Sequence, residues 1–356
     1  MKPGKPHVSL LLAIFLAAVP AASAQQSDIL QNKPAPAYLE VTRLSPPAAK
    51  VSPTIQTVLP EIRGTIIEFT VPTPHGEPAG LTEGLDGNLW FVENWANKLA
   101  SFNVTTHEFL EYRIPVPNSF PVRITADTNG NLWFTQSAGL IGEFTVATHT
   151  FHEFPIPTPG SSPFEIVLTT TGIWFTEQGT SKIGNLSNGV MAEYSTPTRN
   201  SEPNGMTVGD DGTIWFTEAI GKIGKFEPNT QAFTEYDVPD DGSPFEITRG
   251  PDPTFWFSIQ DNDGIGRITD AGEITRFAIP THPSRPYDLT LGPDGAIWFE
   301  EGTGNKIGRI TPQGRVTNEY PIPTLKSGAH AMTSSPRLGV WFSEILANKI
   351  ASIATR

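Results

Sequence analysis

A Trp-Phe pair recurs seven times between residue 90 and the C-terminus. The pairs begin at Trp90, Trp133, Trp174, Trp215, Trp256, Trp298 and Trp341, so their spacings are 43, 41, 41, 41, 42 and 43 residues. A period in the low forties, filled with short strand-like segments, is typical of a β-propeller whose blades have four strands each. We therefore predict an all-β, seven-bladed β-propeller of four-stranded blades in which helix is almost absent.

One repeat shows the four strands. Residues 202–239 contain four short apolar segments, "GMTV", "TIWFTE", "KIGKFE" and "FTEYDV". The stretches "DDG" and "EPNTQ" between them are rich in turn-forming residues, and Pro239 follows the last segment. This alternation of strands and tight turns predicts one antiparallel blade per repeat.

The two ends of the repeat array predict how the ring closes. The last repeat stops at "NKIASIATR", after its third strand, whereas "GTIIEFTVP" (Gly64 to Pro72) resembles a fourth strand but precedes the first full repeat. We predict that this N-terminal strand completes the last blade. Closure of this kind leaves no unpaired sheet edge, which matters in a protein without covalent cross-links. Residues 64–356 then form one propeller domain.

The first 63 residues precede the repeats. Lys2 and Lys5, the apolar run "LLLAIFLAAV" and the sequence Ala22-Ser23-Ala24 predict a cleaved signal peptide over residues 1–24. Residues 25–63 are rich in Pro and Ala and show no sustained period, as expected of a leader or linker. We therefore expect a secreted or periplasmic protein.

Charge and cysteine content restrict the function. The chain carries 24 basic and 37 acidic side chains, a formal net charge of −13, and removal of Lys2 and Lys5 with the signal peptide makes it more acidic still. Such a charge argues against nucleic acid and anionic membranes as partners. The absence of cysteine excludes disulfides, thiol catalysis and thiolate metal sites. We expect a monomer with no membrane insertion.

Candidate site residues follow the proline that begins each repeat. The residues directly after it are Ala79, Val122, Phe164, Asn204, Phe245, Tyr287 and, in the last repeat, His330; the next residues are Gly80, Arg123, Glu165, Gly205, Glu246, Asp288 and Ala331. We call these the first and second channel positions, because they lie where each chain segment enters the strand that lines a propeller's central channel. Their variation on a constant frame predicts a binding surface. Since neighbouring strand residues point in opposite directions, only one of each pair should reach the channel.

The last repeat departs from the others. It reads "SGAHAMT", with Ala329 in place of the proline and His330 after it. A neutral imidazole at the channel mouth can act as a base, although a structural histidine is the competing interpretation. We select His330 as the candidate catalytic residue, and Tyr287, Phe245, Phe164 and Arg123 as the candidate substrate-binding residues.

The repeat resembles that of the virginiamycin B lyase (streptogramin lyase) family of seven-bladed propellers. "GPDGAIWFEEGTGNKIGRIT" (Gly292 to Thr311) carries the resemblance, which extends over about residues 64–356. It implies opening of a cyclic depsipeptide ester by elimination, with His330 as the base, Mg²⁺ as the cofactor that stabilises the enolate, and Glu344 as a metal ligand. Tyr287 stands where the family has a second histidine, and Gly328 stands where it has an acidic metal ligand.

Three functions therefore compete. The first is a secreted lyase that acts on a small cyclic peptide or ester. The second is a non-catalytic propeller that binds a peptide, glycan or cell-wall ligand outside the cytoplasm through the channel face. The third is a lactonase-type hydrolase with a channel metal held by carboxylates such as Glu165, Glu246 and Asp288.

Overall fold

The computed structural model describes residues 39–40 and 64–353. The predicted signal peptide lies outside the described residues, as does the predicted leader apart from β1 (Leu39–Glu40), which pairs with the outer strand of the second blade. Within the described residues the one helical segment is a 3₁₀ turn over Pro239–Asp241. None of the helical structure in that part of the chain is long and apolar enough to cross a membrane.

Seven antiparallel blades of four strands each make up the described fold, as predicted, and β1 adds a short fifth strand to the sheet of the second blade. The first three blades in the chain are β3 (Pro78–Glu83), β4 (Leu89–Glu93), β5 (Lys98–Phe102) and β6 (Phe109–Arg113); β7 (Pro121–Ala126), β8 (Asn131–Gln136), β9 (Leu140–Thr145) and β10 (Thr150–Pro155); and β11 (Pro163–Thr169), β12 (Gly172–Glu177), β13 (Lys182–Ser187) and β14 (Val190–Ser195). The next three are β15 (Pro203–Val208), β16 (Ile214–Glu218), β17 (Lys222–Glu227) and β18 (Ala232–Asp237); β19 (Pro244–Arg249), β20 (Thr254–Ile259), β21 (Gly264–Thr269) and β22 (Ile274–Ala278); and β23 (Pro286–Leu291), β24 (Ile297–Glu301), β25 (Lys306–Ile310) and β26 (Val316–Pro321). The seventh consists of β27 (Ala329–Ser335), β28 (Gly339–Glu344), β29 (Lys349–Ile353) and the N-terminal strand β2 (Ile66–Thr70).

The N-terminal strand closes the ring, which confirms the predicted arrangement. Strand β2 pairs antiparallel with β29 from Ile66 opposite Ile353 to Thr70 opposite Lys349. It also supplies Glu68, whose carboxylate lies 2.6 Å from Lys349 Nζ. The fourth strand of the first blade has the same contact, between Glu111 and Lys98 at 2.7 Å. The N-terminal strand therefore replaces a fourth strand in its side-chain contacts as well as its backbone pairing.

The Trp-Phe pairs form the core between neighbouring blades. Phe216 is fully buried and lies over Gly224 of the adjacent strand, where an added Cβ would come within 2.1 Å of the ring. This close approach explains why the third strand of most repeats carries a glycine. The indole N–H of Trp298 donates to Asp294 in the preceding turn at 3.1 Å, so the "DG" turn both reverses the chain and satisfies a buried donor.

The first strand of each blade lines the centre of the molecule. These inner strands contact one another in sequence around the ring, and β27 of the last blade contacts β3 of the first. Each has a register shift at the two channel positions: in β19, Pro244 pairs with Ile259 but Ile247 pairs with Phe257. A bulge of this kind places two consecutive residues opposite one. The expectation that only one residue of each pair reaches the channel is therefore wrong, because the bulge interrupts the alternation.

Candidate functional site

Five of the six sequence-predicted site residues form one continuous row at the channel. The Arg123 guanidinium lies 4.9 Å from the centre of the Phe164 ring. Phe164 belongs to the third blade and Phe245 to the fifth, and their ring centres lie 5.4 Å apart in an edge-to-face arrangement. The row continues from Phe245 to Tyr287 at 4.2 Å and from Tyr287 to His330 at 4.9 Å between ring centres. Phe164 and Phe245 are half-buried, whereas His330 is only 5% exposed. The row thus runs from accessible aromatic surface to a buried imidazole.

The second channel positions form a buried ion cluster. Arg123 is 3% exposed and contacts three carboxylates, at 2.9 Å (Glu165), 3.1 Å (Glu246) and 3.4 Å (Asp288). Burial opposes the charge of the guanidinium, but these carboxylates outweigh it and raise the pKa of Arg123 further above its usual range. Burial also raises the pKa of Glu246 well above its ordinary value, with the charges of Glu165 and Asp288 adding to the effect.

The ion cluster lines a recess of about 160 Å³ together with apolar residues of the inner strands such as Met206 and Met332. The carboxylates proposed for a lactonase-type metal do converge, but on the guanidinium of Arg123. Arg123 joins the inner strands of the second, third, fifth and sixth blades through this cluster and stacks one face against Phe164. Its role as a substrate-binding residue stays a prediction.

A hydroxyl joins each inner strand to the next over much of the ring. The residue directly after the Trp-Phe pair, which we call the bridging position, is Thr135, Thr176, Thr217 and Ser258 in blades two to five. The Ser258 hydroxyl accepts from the backbone N–H of Glu246 at 3.1 Å and donates to the carbonyl of Tyr287 in the next blade at 2.7 Å. The other three make the same pair of bonds.

This pattern fails on both sides of His330. The bridging position of the sixth blade is Glu300, which is fully buried and whose one hydrogen-bond partner is the backbone N–H of Asp288 in its own blade, so the bond to the next blade is missing. In the seventh blade it is Ser343, whose buried hydroxyl has no partner. His330 itself has no partner on either ring nitrogen. Scaffold glutamates such as Glu93 and Glu218 also lack partners, but His330, Glu300 and Ser343 belong to the positions that join the inner strands, where a ligand in the channel can supply the missing bonds.

The electrostatic surroundings keep His330 neutral. Burial, together with the positive charge of Arg123, lowers the pKa of His330 to about 3. Burial also raises the pKa of Glu300 well above its ordinary value, and the charge of Asp288 raises it further. At neutral pH the imidazole of His330 is therefore uncharged, and the carboxyl group of Glu300 holds its proton more tightly than an exposed glutamate does. An imidazole in this state can accept a proton.

Glu344 lies in a scaffold position that five blades share. Glu93, Glu177, Glu218, Glu301 and Glu344 are all fully buried at the end of their second strands. Burial raises the pKa of Glu344 to about 8, with Glu68 as the nearest like charge and Lys349 as the nearest cation. Glu301 has the equivalent neighbours Glu319 and Lys306. Glu344 is thus turned toward the outer strands of its blade, and its role as a metal ligand stays a prediction.

The residues near His330 do not fit a divalent cation. Within the described part of the chain, no three His, Asp or Glu side chains are grouped so that they could hold a metal ion. Mg²⁺ requires a nearly octahedral set of oxygen ligands. The carboxylates that converge at the channel, Glu165, Glu246 and Asp288, are already paired with Arg123. We therefore assign no chemical step to Mg²⁺.

An apolar rim lies on the face of the molecule from which the inner strands start. The backbone N–H of Trp95 donates to Gly76 and that of Leu346 donates to Ser327, so both loops join the segments that lead into the inner strands of the first and last blades. Trp95 is 59% exposed and Leu346 is 68% exposed. Leu346 also packs against Gly328, two residues before His330. Large exposed apolar side chains beside a channel mouth are typical of a ligand-binding face.

Comparisons with known proteins agree with this architecture. The profile of the virginiamycin B lyase family matches residues 58–226 and 171–356. A search of curated protein sequences finds no match. The crystal structure of selenomethionine-substituted virginiamycin B lyase from Staphylococcus aureus is 32% identical, with a TM-score of 0.78 over 82% of this chain and 99% of that one. A streptogramin B lyase structure is 34% identical, with a TM-score of 0.75 over 81% of this chain and 96% of that one. A catalytically inactive histidine-to-alanine variant of the S. aureus lyase with quinupristin has 32% identity and a TM-score of 0.78 over 82% of this chain and 99% of that one.

Proposed function

The chain belongs to the virginiamycin B lyase family, and from that premise and the geometry around His330 we propose that it opens a small cyclic depsipeptide ester by elimination. The observation that carries the proposal is the group of buried polar side chains, His330, Glu300 and Ser343, that form no hydrogen bond to a neighbouring blade. A second argument comes from the relative described as catalytically inactive, in which one histidine is replaced by alanine.

His330 acts as the base in this proposal. A ring nitrogen removes the proton on the carbon alpha to a carbonyl, and the electron pair of that C–H bond forms a carbon–carbon double bond to the neighbouring carbon. The C–O bond on that neighbouring carbon breaks, and the ester leaves as a carboxylate. Water does not take part, so the product has the same mass as the cyclic substrate. The low polarity around His330 holds the base neutral until substrate arrives.

The aromatic row and the apolar rim bind the substrate. Phe164, Phe245 and Tyr287 offer a continuous aromatic surface that leads to His330. Trp95 and Leu346 supply exposed apolar area on the same side of the ring. A cyclic peptide with apolar side chains would bury area against both surfaces, which favours it over a charged glycan.

Binding without catalysis is the second candidate. It is favoured by the burial of His330 and by a pKa of about 3, which makes the imidazole a weak base in the free protein. In this case His330 would serve as a hydrogen-bonding group for the ligand. We propose a secreted or periplasmic location and a monomeric state for either function.

Turnover of a streptogramin B antibiotic separates the two candidates. We expect ring opening by the wild type, and loss of at least about 10²-fold in rate for His330→Ala, as is usual for removal of a general base. His152→Ala is the matched control, because His152 lies on the outer strand β10 and should not affect the rate. Binding without turnover would favour the second candidate. Absence of both binding and turnover would contradict the proposed site.

The predicted cofactor has its own test. Calorimetric titration with Mg²⁺, followed by turnover in the presence and absence of a chelator, measures whether a divalent cation contributes. Glu344→Gln is the diagnostic variant: if Glu344 is a metal ligand, the variant loses metal binding and activity together. If Glu344 belongs to the scaffold, as its position suggests, the variant keeps both at the wild-type level.

A further inference from the structure

Glu300 is the one bridging residue in the ring that carries a carboxyl group. The same position holds Val92 in the first blade and a serine or threonine in the other five. Nothing in the blade scaffold requires an acid there, since the hydroxyl residues of blades two to five already complete the bonds between inner strands. Burying a carboxyl group is costly, and unlike the glutamates that end the second strands of five blades, this one occurs in a single blade, so its presence indicates a function.

The register of the sixth blade matches that of the fifth, from which we infer that Glu300 points toward the first channel residue of the last blade, His330. Phe299 pairs with Leu289, just as Phe257 pairs with Ile247 in the fifth blade. In the fifth blade, the bridging hydroxyl of Ser258 donates to the backbone carbonyl of the first channel residue of the next blade, Tyr287. The corresponding residue for Glu300 is His330. The negative charge that Glu300 would carry acts on Tyr287, whose ring lies 4.9 Å from that of His330.

The two residues form a buried acid and base of complementary character. Neither ring nitrogen of His330 has a partner, Glu300 has only the backbone N–H of Asp288 as its partner, and both side chains are at least nine-tenths buried. The charged groups that face Glu300 are Asp288, Arg123 and Glu344, and Tyr287 is the nearest phenol. A single added charge is disfavoured in these surroundings, whereas simultaneous formation of a positive imidazole and a negative carboxylate keeps the net charge unchanged.

We propose that Glu300 is a second catalytic residue, which donates a proton to the leaving carboxylate while His330 removes the proton from carbon. This inference rests on the proposed lyase function. The C–H bond breaks toward His330, the C–O bond breaks toward the leaving oxygen, and the carboxyl proton of Glu300 moves to that oxygen. The products are the linear peptide with a new double bond and a free carboxylic acid, and the protein holds an imidazolium–carboxylate pair. Transfer of the proton from His330 to Glu300 restores the starting state. No metal ion, oxidant or water is consumed.

Three substitutions test the assignment in the full-length protein. Glu300→Gln keeps the size of the side chain, but its amide group cannot transfer a proton to the leaving oxygen. We therefore expect kcat to fall about 10²- to 10⁴-fold with a much smaller change in KM. Glu300→Thr restores the residue that other blades carry, so we expect a similar loss of kcat but no loss of thermal stability. Glu301→Gln is the matched control, because it alters an adjacent buried glutamate that contacts the scaffold, and its kcat should be unchanged.

The pH profile separates catalysis from a structural role. In the wild type, kcat should fall on the alkaline side as Glu300 loses its proton, and Glu300→Gln should lack this limb. If the wild type opens the ring and both Glu300 variants match its kcat, Glu300 is not catalytic and the lyase function stands. If the wild type opens no ring, the lyase function fails and the assignment fails with it. Rescue of kcat by Glu300→Asp to within about tenfold of the wild type would support proton donation.

Discussion

Replacing Arg123 with methionine should destabilise the propeller strongly. The substitution keeps most of the apolar stem but removes the guanidinium that contacts Glu165, Glu246 and Asp288. Breaking a buried ion pair by removing one partner costs about 3–5 kcal/mol. One of the carboxylates that lose their partner can instead take up a proton. At pH 7 this protonation costs about 3.4 kcal/mol for a group with an ordinary pKa near 4.5. Both estimates, from the broken ion pair and from protonation, give a decrease of about 3–5 kcal/mol in the free energy of unfolding.

Thermal unfolding measures this loss. At about 2 °C per kcal/mol for a domain of this size, the melting temperature should fall by about 6–10 °C at pH 7. The three carboxyl groups already have raised pKa values in the fold, and loss of Arg123 raises those pKa values further. A carboxyl group with a raised pKa lowers the stability of the fold as pH rises. The difference in melting temperature between wild type and variant should therefore become smaller toward pH 4.

A surface arginine provides the control for this experiment. Arg249 pairs with Asp210, but both side chains are substantially exposed. Arg249→Met should therefore change the free energy of unfolding by at most about 1 kcal/mol. Equal melting temperatures for Arg123→Met and Arg249→Met would refute the claim that the ion cluster holds the inner strands together.

Three further predictions concern the scaffold. Deletion of Gly64–Pro72 should expose the edge of the last blade and cause aggregation, measured by light scattering; a soluble, monomeric deletion variant would contradict the closure. Gly224→Ala should lower stability by about 1–3 kcal/mol because its Cβ meets Phe216 at 2.1 Å, whereas Gly302→Ala, whose nearest atom is a backbone oxygen at 3.4 Å, should have little effect in the same denaturant titration. Burial raises the pKa of Glu93 to about 8, so its contribution to stability is complete below about pH 4.5 and is lost as pH rises through 8. The melting temperature should therefore decrease from about pH 5 to pH 9, and Glu93→Gln should make that decrease smaller. If melting temperature falls equally with pH in the wild type and the variant, Glu93 does not contribute to the pH dependence.

The fold could be predicted from the sequence because each repeat reports the same local structure. The spacing of the Trp-Phe pairs gives the number of blades, and the unfinished last repeat gives the closing strand. The blade number and the closing strand both depend on strand length, turn residues and the need to pair every strand edge. These properties are visible in the repeating pattern of the sequence. Seven copies also average out the ambiguity of any single strand.

The channel was harder to predict because it depends on contacts between repeats. The bulge in each inner strand leaves no mark in the pattern of apolar residues, so strict alternation gave the wrong orientation for half of the channel positions. The arginine at a variable position suggested substrate binding, and only the three-dimensional arrangement shows its three carboxylate partners. Glu300 was visible in the sequence as the acid in "WFEE", where other repeats have "WFTE" or a close variant. Comparison of the bridging position across the seven repeats could have identified Glu300 as the exception.

The mass of the product distinguishes elimination at His330 from hydrolysis. Wild-type protein and His330→Ala are each incubated with a streptogramin B antibiotic, and the linear product is analysed by liquid chromatography and mass spectrometry. The account predicts that the wild type forms a linear product with the mass of the intact ring, and that His330→Ala forms none above the uncatalysed rate. A product heavier by one water would show hydrolysis instead of elimination. Equal amounts of product from the two proteins would remove His330 from the reaction.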